Sequence, residues 1–134
     1  MSIEFLNVDL DIDSHKDLRP LVDFLGKEVL DLYCGPAMGH QRATLEIATD
    51  RSDPDTLIQR FCLLIQSLEG DELDLWDSAF SKVFDIGYSS GLEPSNYRSE
   101  IRADTISEVA KIGGSLRISI YPPMEPVHVE EPDA

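Results

Sequence analysis

The chain has 134 residues, and its 26 acidic against 11 basic residues give a formal net charge of -15 at pH 7. Such a charge repels nucleic-acid phosphates and anionic lipids, so we expect no direct binding to nucleic acids or membranes. The length predicts one domain, and the sequence shows neither a signal peptide nor a membrane-spanning segment, so we expect a cytoplasmic protein.

The N-terminal half of the chain predicts a strand, a helix and a β-hairpin. The segments are residues 4–12, 15–25, 28–34 and 41–49. The first segment alternates apolar and polar residues, which is the period of a strand with one buried face. Pro20 fits only the first turn of a helix, so the regular helix is expected to begin near Arg19. Residues 35–39 are the predicted turn of the hairpin.

The strongest helical signal in the chain spans residues 53–68. Asp53 is the predicted N-cap and Pro54 the first helical residue, and Asp55 is an acid placed where the helix dipole favours negative charge. Apolar side chains cover most of the circumference, at Leu57, Ile58, Phe61, Cys62, Leu64, Ile65 and Leu68. A helix with so wide an apolar stripe is expected to pack on a sheet.

The C-terminal half predicts a helix, a strand, a weaker strand, a helix and a last strand. The segments are residues 72–80, 82–88, 97–102, 105–114 and 115–121. Asp104 is the predicted N-cap of the last helix. The element order favours one α+β domain over residues 1–122, with helices on one face of a mainly antiparallel sheet in a ferredoxin-like (split βαβ) variant. Residues 123–134 are rich in proline and acid, which is typical of a mobile tail.

Two short motifs resemble functional patterns but lack the surrounding sequence that those patterns need. Residues 87–91 match the nucleophile elbow of hydrolases, yet no helix is predicted to follow, and the only later histidine is His128. Asp9, Asp11 and Asp13 resemble the start of a calcium loop, but they alternate with apolar residues as the polar side of a strand. The sequence therefore predicts no catalytic residue, no metal ligand and no cofactor.

The densest group of polar and aromatic residues is the candidate binding site. Its members are Tyr33, His40, Arg42, Trp76, Asp77, Asp85 and Tyr88. Asp85 lies in a largely apolar strand and needs a partner, which Arg42 on a neighbouring strand would supply. The alternative interpretation is a structural ion pair, or ordinary solvent exposure of alternate strand residues.

The C-terminal half resembles a group of small bacterial proteins of unknown function. The segments WDSAFSKVFDIGY and SEIRADTISEVAKIGGSLRISIYPP are similar to the domain-of-unknown-function 4279 family, in which a strand precedes a helix of this type and an Ile-Ser-Ile-Tyr strand ends the domain. The resemblance is best over residues 73–122. It implies a stand-alone bacterial α+β domain with no assigned catalytic residues.

Three classes of function are consistent with these observations. The first is a non-catalytic protein-binding domain, such as an immunity protein or antitoxin whose acidic surface neutralises a basic partner. The second is a small-ligand-binding or homo-oligomeric module, for example a homodimer in which an edge strand or uncovered sheet face pairs with a second copy. The third is an enzyme built around Asp85, Arg42 and His40, which requires a shared pocket.

Overall fold

The computed structural model describes residues 2–50, 52–92 and 96–123, which form one five-stranded sheet and four α-helices. The strands are β1 (Glu4–Ser14), β2 (Val29–Ala37), β3 (His40–Ile47), β4 (Ser81–Ser89) and β5 (Ser115–Tyr121). The helices are α1 (Arg19–Leu25), α2 (Pro54–Gln66), α3 (Gly70–Ser78) and α4 (Ala103–Lys111), and a short 3-10 turn covers Gly26–Glu28. The predicted α+β class is confirmed.

The strand order across the sheet is β2-β3-β1-β4-β5. Neighbouring strands are antiparallel except β4 and β5, which run parallel and are connected through α4. β1 is therefore the central strand, with a hydrogen-bonded neighbour on each side. The sheet is mainly antiparallel, as the sequence predicts, whereas the ferredoxin-like detail of that prediction is not confirmed.

The alternation of β1 gives the sheet two unlike faces. Val8, Leu10 and Ile12 are buried on one face, where Leu10 lies opposite Leu45 of β3 and Phe84 of β4. Each of the four described helices contributes buried residues to the core on this side. The other face carries no helix in the described part of the chain, and we call it the open face.

Helix α2 forms the largest part of the helical layer, as its sequence predicts. The Asp53 side chain accepts a hydrogen bond from the backbone N–H of Thr56 at 2.8 Å and so caps the helix. Phe61 is fully buried, and its ring centroid lies 5.7 Å from that of Phe84. The remaining buried apolar side chains of the helix are Pro54, Leu57, Ile58, Cys62 and Ile65. The wide apolar stripe therefore packs on the sheet as expected.

Two predictions for the segment between β4 and α4 are wrong. Residues 97–102 form no strand, and β5 occupies the edge of β4 instead. The N-cap residue of α4 is Arg102 rather than Asp104. The backbone N–H of Arg102 donates to the carboxylate of Asp55 in α2 at 2.8 Å, so the start of α4 is tied to α2.

The hairpin turn is shorter than predicted. Strand β2 continues to Ala37, and only Met38 and Gly39 lie between the two strands. Both residues have positive φ, 48° for Met38 and 92° for Gly39. Such a two-residue turn matches the right-handed twist of the strands that it joins.

Two expectations concern the chain end and the location of the protein. Apart from Pro123, the predicted tail lies outside the described residues, so the domain boundary at residue 122 stays a prediction. Among the helices described, none combines the length and the apolarity needed to cross a bilayer. The cytoplasmic location also stays a prediction.

Replacing Asp53 with alanine is expected to lower the free energy of unfolding by about 1 kcal/mol, because the N–H of Thr56 loses its acceptor. Asp104→Ala is the matched control, since this exposed carboxylate pairs with Arg102 but caps nothing and should contribute less than about 0.5 kcal/mol. Urea unfolding followed by circular dichroism measures both variants. Equal losses would contradict the capping role of Asp53.

Candidate functional site

The open face carries a cluster of five carboxylates. We call this surface the acidic face, and its members are Asp9, Asp11, Asp13, Glu46 and Asp85. β1 supplies three of them because every second residue of a strand projects from the same side. Asp9 lies directly opposite Asp85 of β4, a pairing in which like charges repel. Such an arrangement needs cations or protons to compensate the charge.

Two arginines compensate part of the charge from strands on either side of β1. On β3, Arg42 Nε lies 2.8 Å from Asp13 Oδ1. On β5, a terminal nitrogen of Arg117 lies 3.2 Å from Asp11 Oδ2 and 3.5 Å from Asp85 Oδ2. Three of the five carboxylates therefore have a cationic partner.

Asp9 and Glu46 have no ion-pair partner among the described residues. The Asn7 amide donates to Glu46 at 2.8 Å, whereas Asp9 Oδ1 is buried and accepts no hydrogen bond from any described residue. Burial raises the pKa of Asp9 to about 7, reinforced by a proton-sharing hydrogen bond with Glu46 and by the neighbouring carboxylate charges. The raised pKa extends the pH range over which the Asp9 carboxyl holds its proton beyond that of an ordinary aspartate.

Asp13 belongs to a second cluster, at the C-terminal end of β1. Its side chain is only 10% exposed, and its Oδ1 lies 2.7 Å from His40 Nε2 in addition to the contact with Arg42. Burial by itself would raise the pKa of Asp13, but hydrogen bonds from Arg42 and His40 and their charges lower it below the ordinary value. The Phe80 ring packs against the rings of His15 and His40, at centroid distances of 4.8 and 5.1 Å. Arg42 and His40 thus favour the carboxylate form of Asp13.

A groove of about 520 Å³ opens near the N-terminal end of β1. It lies where β1 and β3 separate, since the pairing of these strands stops at Leu10 and Leu45. Its lining combines apolar and acidic side chains, among them Phe5, Val8, Leu57, Glu4, Glu46 and Asp50. Glu46 therefore belongs to both the groove and the acidic face, whereas His40, Arg42 and Asp85 do not line the groove.

Four of the predicted site residues lie on the open face, namely Tyr33, His40, Arg42 and Asp85. The predicted pair of Arg42 and Asp85 is not formed, because β1 lies between their strands. Arg42 pairs with Asp13 instead, while Asp85 pairs with Arg117 and accepts a hydrogen bond from Ser119 at 2.7 Å. The structure therefore separates Asp85 from the His40 and Arg42 cluster that the enzyme hypothesis needs.

The other three predicted site residues lie away from the acidic face. Trp76 is buried in the core, and its indole N–H donates to the carbonyl of Ile112 at 2.8 Å. Tyr88 is buried on the helix-covered side, and its hydroxyl donates to Ser99 at 2.7 Å. Asp77 is exposed on α3. The two aromatic side chains therefore stabilise the fold.

Sequence reasoning missed five members of the site, which are Asp9, Asp11, Asp13, Glu46 and Arg117. The alternation through residues 9–13 indicates the polar side of a strand, but nothing local shows that the strand is central. Knowledge of the strand order would have shown that Glu46 of β3 and Asp85 of β4 lie beside β1.

Comparisons of the chain with protein-family models, with curated proteins and with solved structures gave no match. The similarity to the domain-of-unknown-function 4279 family therefore stays a prediction. A functional assignment has to come from the geometry and the charges of the site.

Asp9→Asn should stabilise the protein more at pH 8 than at pH 5. In the wild type, the folded state keeps a proton on Asp9 that the unfolded state releases near the ordinary pKa of 3.8, so stability falls as the pH rises from about 4 to about 7. Asparagine removes this loss, which amounts to about 1–2 kcal/mol after allowance for solvent screening of a partly buried group.

Urea unfolding of the wild type and Asp9→Asn across this pH range measures the effect. Asp74→Asn, on the exposed surface of α3 and outside its first turn, is the control and should leave the pH profile unchanged. A difference between Asp9→Asn and the wild type that is constant with pH would contradict the raised pKa of Asp9.

Arg42→Met is expected to destabilise the protein by about 1–3 kcal/mol near pH 7, because the buried Asp13 carboxylate loses its arginine partner and keeps only the contact with the His40 ring. The same replacement at the exposed Arg98 is the control and should change stability by less than about 0.5 kcal/mol. Chemical denaturation at neutral pH compares the two. If Arg42→Met were as stable as the control, Asp13 would not depend on Arg42.

Proposed function

We propose that this chain is a non-catalytic protein-binding domain whose acidic face binds a basic partner, in the manner of an immunity protein or antitoxin that covers a basic toxin. The observation that carries the proposal is the carboxyl pair of Asp9 and Glu46. Its two members lie on the neighbouring strands β1 and β3, and neither has an ion-pair partner among the described residues. A cation from a partner would supply what the chain itself lacks.

A lysine or arginine of the partner placed beside Asp9 would pair with its carboxylate and favour loss of the proton. The opposite charge would lower the raised pKa of Asp9, so binding would release protons near neutral pH. The buried Oδ1 would gain a donor, which removes the cost of an unsatisfied polar atom. The remaining carboxylates would steer a basic partner toward the face.

The edge of the open face offers apolar contacts next to the carboxylates. Leu30 and Tyr33 of β2 are about half exposed, and they lie opposite Glu46 and Thr44 of β3. Interfaces that bind proteins combine such exposed apolar and aromatic side chains with polar groups. A partner that contacts both would bury apolar area as well as pair its cations, which gives specificity beyond net charge.

An affinity pull-down with two charge-matched variants tests this proposal. The acidic-face variant carries Asp9→Asn and Glu46→Gln, and the control carries Asp71→Asn and Asp74→Asn on the exposed surface of α3. Each double variant replaces two carboxyl groups with amides, and binding at pH 8, above the raised pKa of Asp9, keeps the change in net charge similar in the two variants. The immobilised proteins are exposed to lysate of the source organism, and bound proteins are identified by mass spectrometry.

We expect the wild type and the α3 control to retain the same basic protein at low salt and to release it at high salt. The acidic-face variant should retain at least about ten-fold less, which corresponds to about 1.4 kcal/mol of binding free energy. Equal retention by the two double variants, or no basic protein bound to the wild type, would contradict the proposal.

A further inference from the structure

Strand β5 is the last strand of the sheet, and no described residue pairs with its outer edge. Its side chains on the helix side are apolar but poorly covered, since Leu116, Ile118 and Ile120 are 38%, 66% and 67% exposed. The strand therefore presents both unpaired backbone groups and an apolar row. Natural proteins usually protect such an edge with charges, prolines or bulges.

The charge of β5 differs from that of the rest of the chain. Residues 109–123 contain no acid and carry two cations, Lys111 and Arg117, although the whole chain has a net charge of -15. Arg117 is held over the open face of its own sheet by Asp11 and Asp85. β5 therefore offers no carboxylate with which a basic partner could form an ion pair.

We propose that β5 pairs in antiparallel fashion with β5 of a second copy, which joins two five-stranded sheets into one. The strand is self-complementary about its midpoint, Ile118. Leu116 and Ile120 lie two residues to either side and project from the same face as Ile118. A two-fold axis through Ile118 would therefore place Leu116 opposite Ile120 of the partner subunit, apolar against apolar.

The alternation of the strand excludes most other registers. A shift by one residue would set side chains of the helix side against those of the open face. A two-fold axis through Arg117 would place the two guanidinium groups opposite each other, which is unfavourable. The register about Ile118 places Arg117 opposite a serine, Ser119, and also pairs the greatest length of the seven-residue strand.

The dimer leaves the acidic face accessible. A two-fold axis perpendicular to the sheet keeps both open faces on the same side, so two acidic faces would flank the new strand pair. The contact uses the outer edge and the helix side of β5, whereas Asp9 and Glu46 lie on β1 and β3. Dimerisation and the binding of a basic partner are therefore independent, and each can fail without the other.

Sedimentation equilibrium of the full chain tests the dimer. At about 100 μM, the wild type should have close to twice the monomer mass of 15.0 kDa, with dissociation on dilution. Ile118→Lys should be monomeric, because two ammonium groups would meet at the axis. Leu63→Lys on α2 is the matched control, since Leu63 is also 66% exposed, and it should remain a dimer.

A cross-link provides a second measurement that does not depend on a disruptive variant. Opposed residues of antiparallel strands have Cα atoms about 5 Å apart, which suits a disulfide. Ile118→Cys in a Cys34→Ser background should therefore form a covalent dimer on mild oxidation, whereas Leu63→Cys in the same background should not. A monomeric wild type at about 100 μM, or an Ile118→Lys variant that stays dimeric, would overturn the proposal.

Discussion

β1 is hydrogen-bonded to β3 and to β4, so its side chains project only toward the helices or toward the open face. The alternation that buries Leu10 and Ile12 therefore places Asp9, Asp11 and Asp13 in one row at the middle of the sheet. A row of like charges at this spacing is unfavourable unless cations or protons compensate it. The two arginines reduce this repulsion by pairing with carboxylates, and the raised pKa of Asp9 reduces it by favouring a proton on that carboxyl.

The arginines balance the negative charge of some carboxylates of the acidic face but not of others. Arg42 reaches Asp13, and Arg117 reaches Asp11 and Asp85, but neither reaches Asp9. A neutral residue at position 9 would remove the cost of the raised pKa, so stability favours a neutral side chain there whereas the proposed binding needs the carboxylate. The acid-free edge strand β5 lies outside this conflict. The two proposed interactions therefore use different surfaces, one acidic and one apolar.

Local sequence signals predicted most of the elements, while strand order determined the site. The cap at Asp53 and the alternation of β1 are read from neighbouring residues, and both are confirmed. The predicted strand over residues 97–102 is wrong, and β5, which follows α4, occupies the edge of β4 instead. The pairing of Asp85 with Arg117 rather than Arg42 has the same origin, since only the strand order reveals which residues are neighbours.

The central claim is that the Asp9 carboxyl has a pKa near neutrality because the chain places no cation beside it, and that a partner would supply this cation. A pH titration of the side-chain carboxyl carbons by NMR, with Asp9→Asn used to assign the signal, measures this pKa directly. The account predicts that the Asp9 signal titrates near pH 7, well above an ordinary aspartate. If every aspartate titrated below about pH 5, the charges of the acidic face would already be balanced within the chain, and the account would be contradicted.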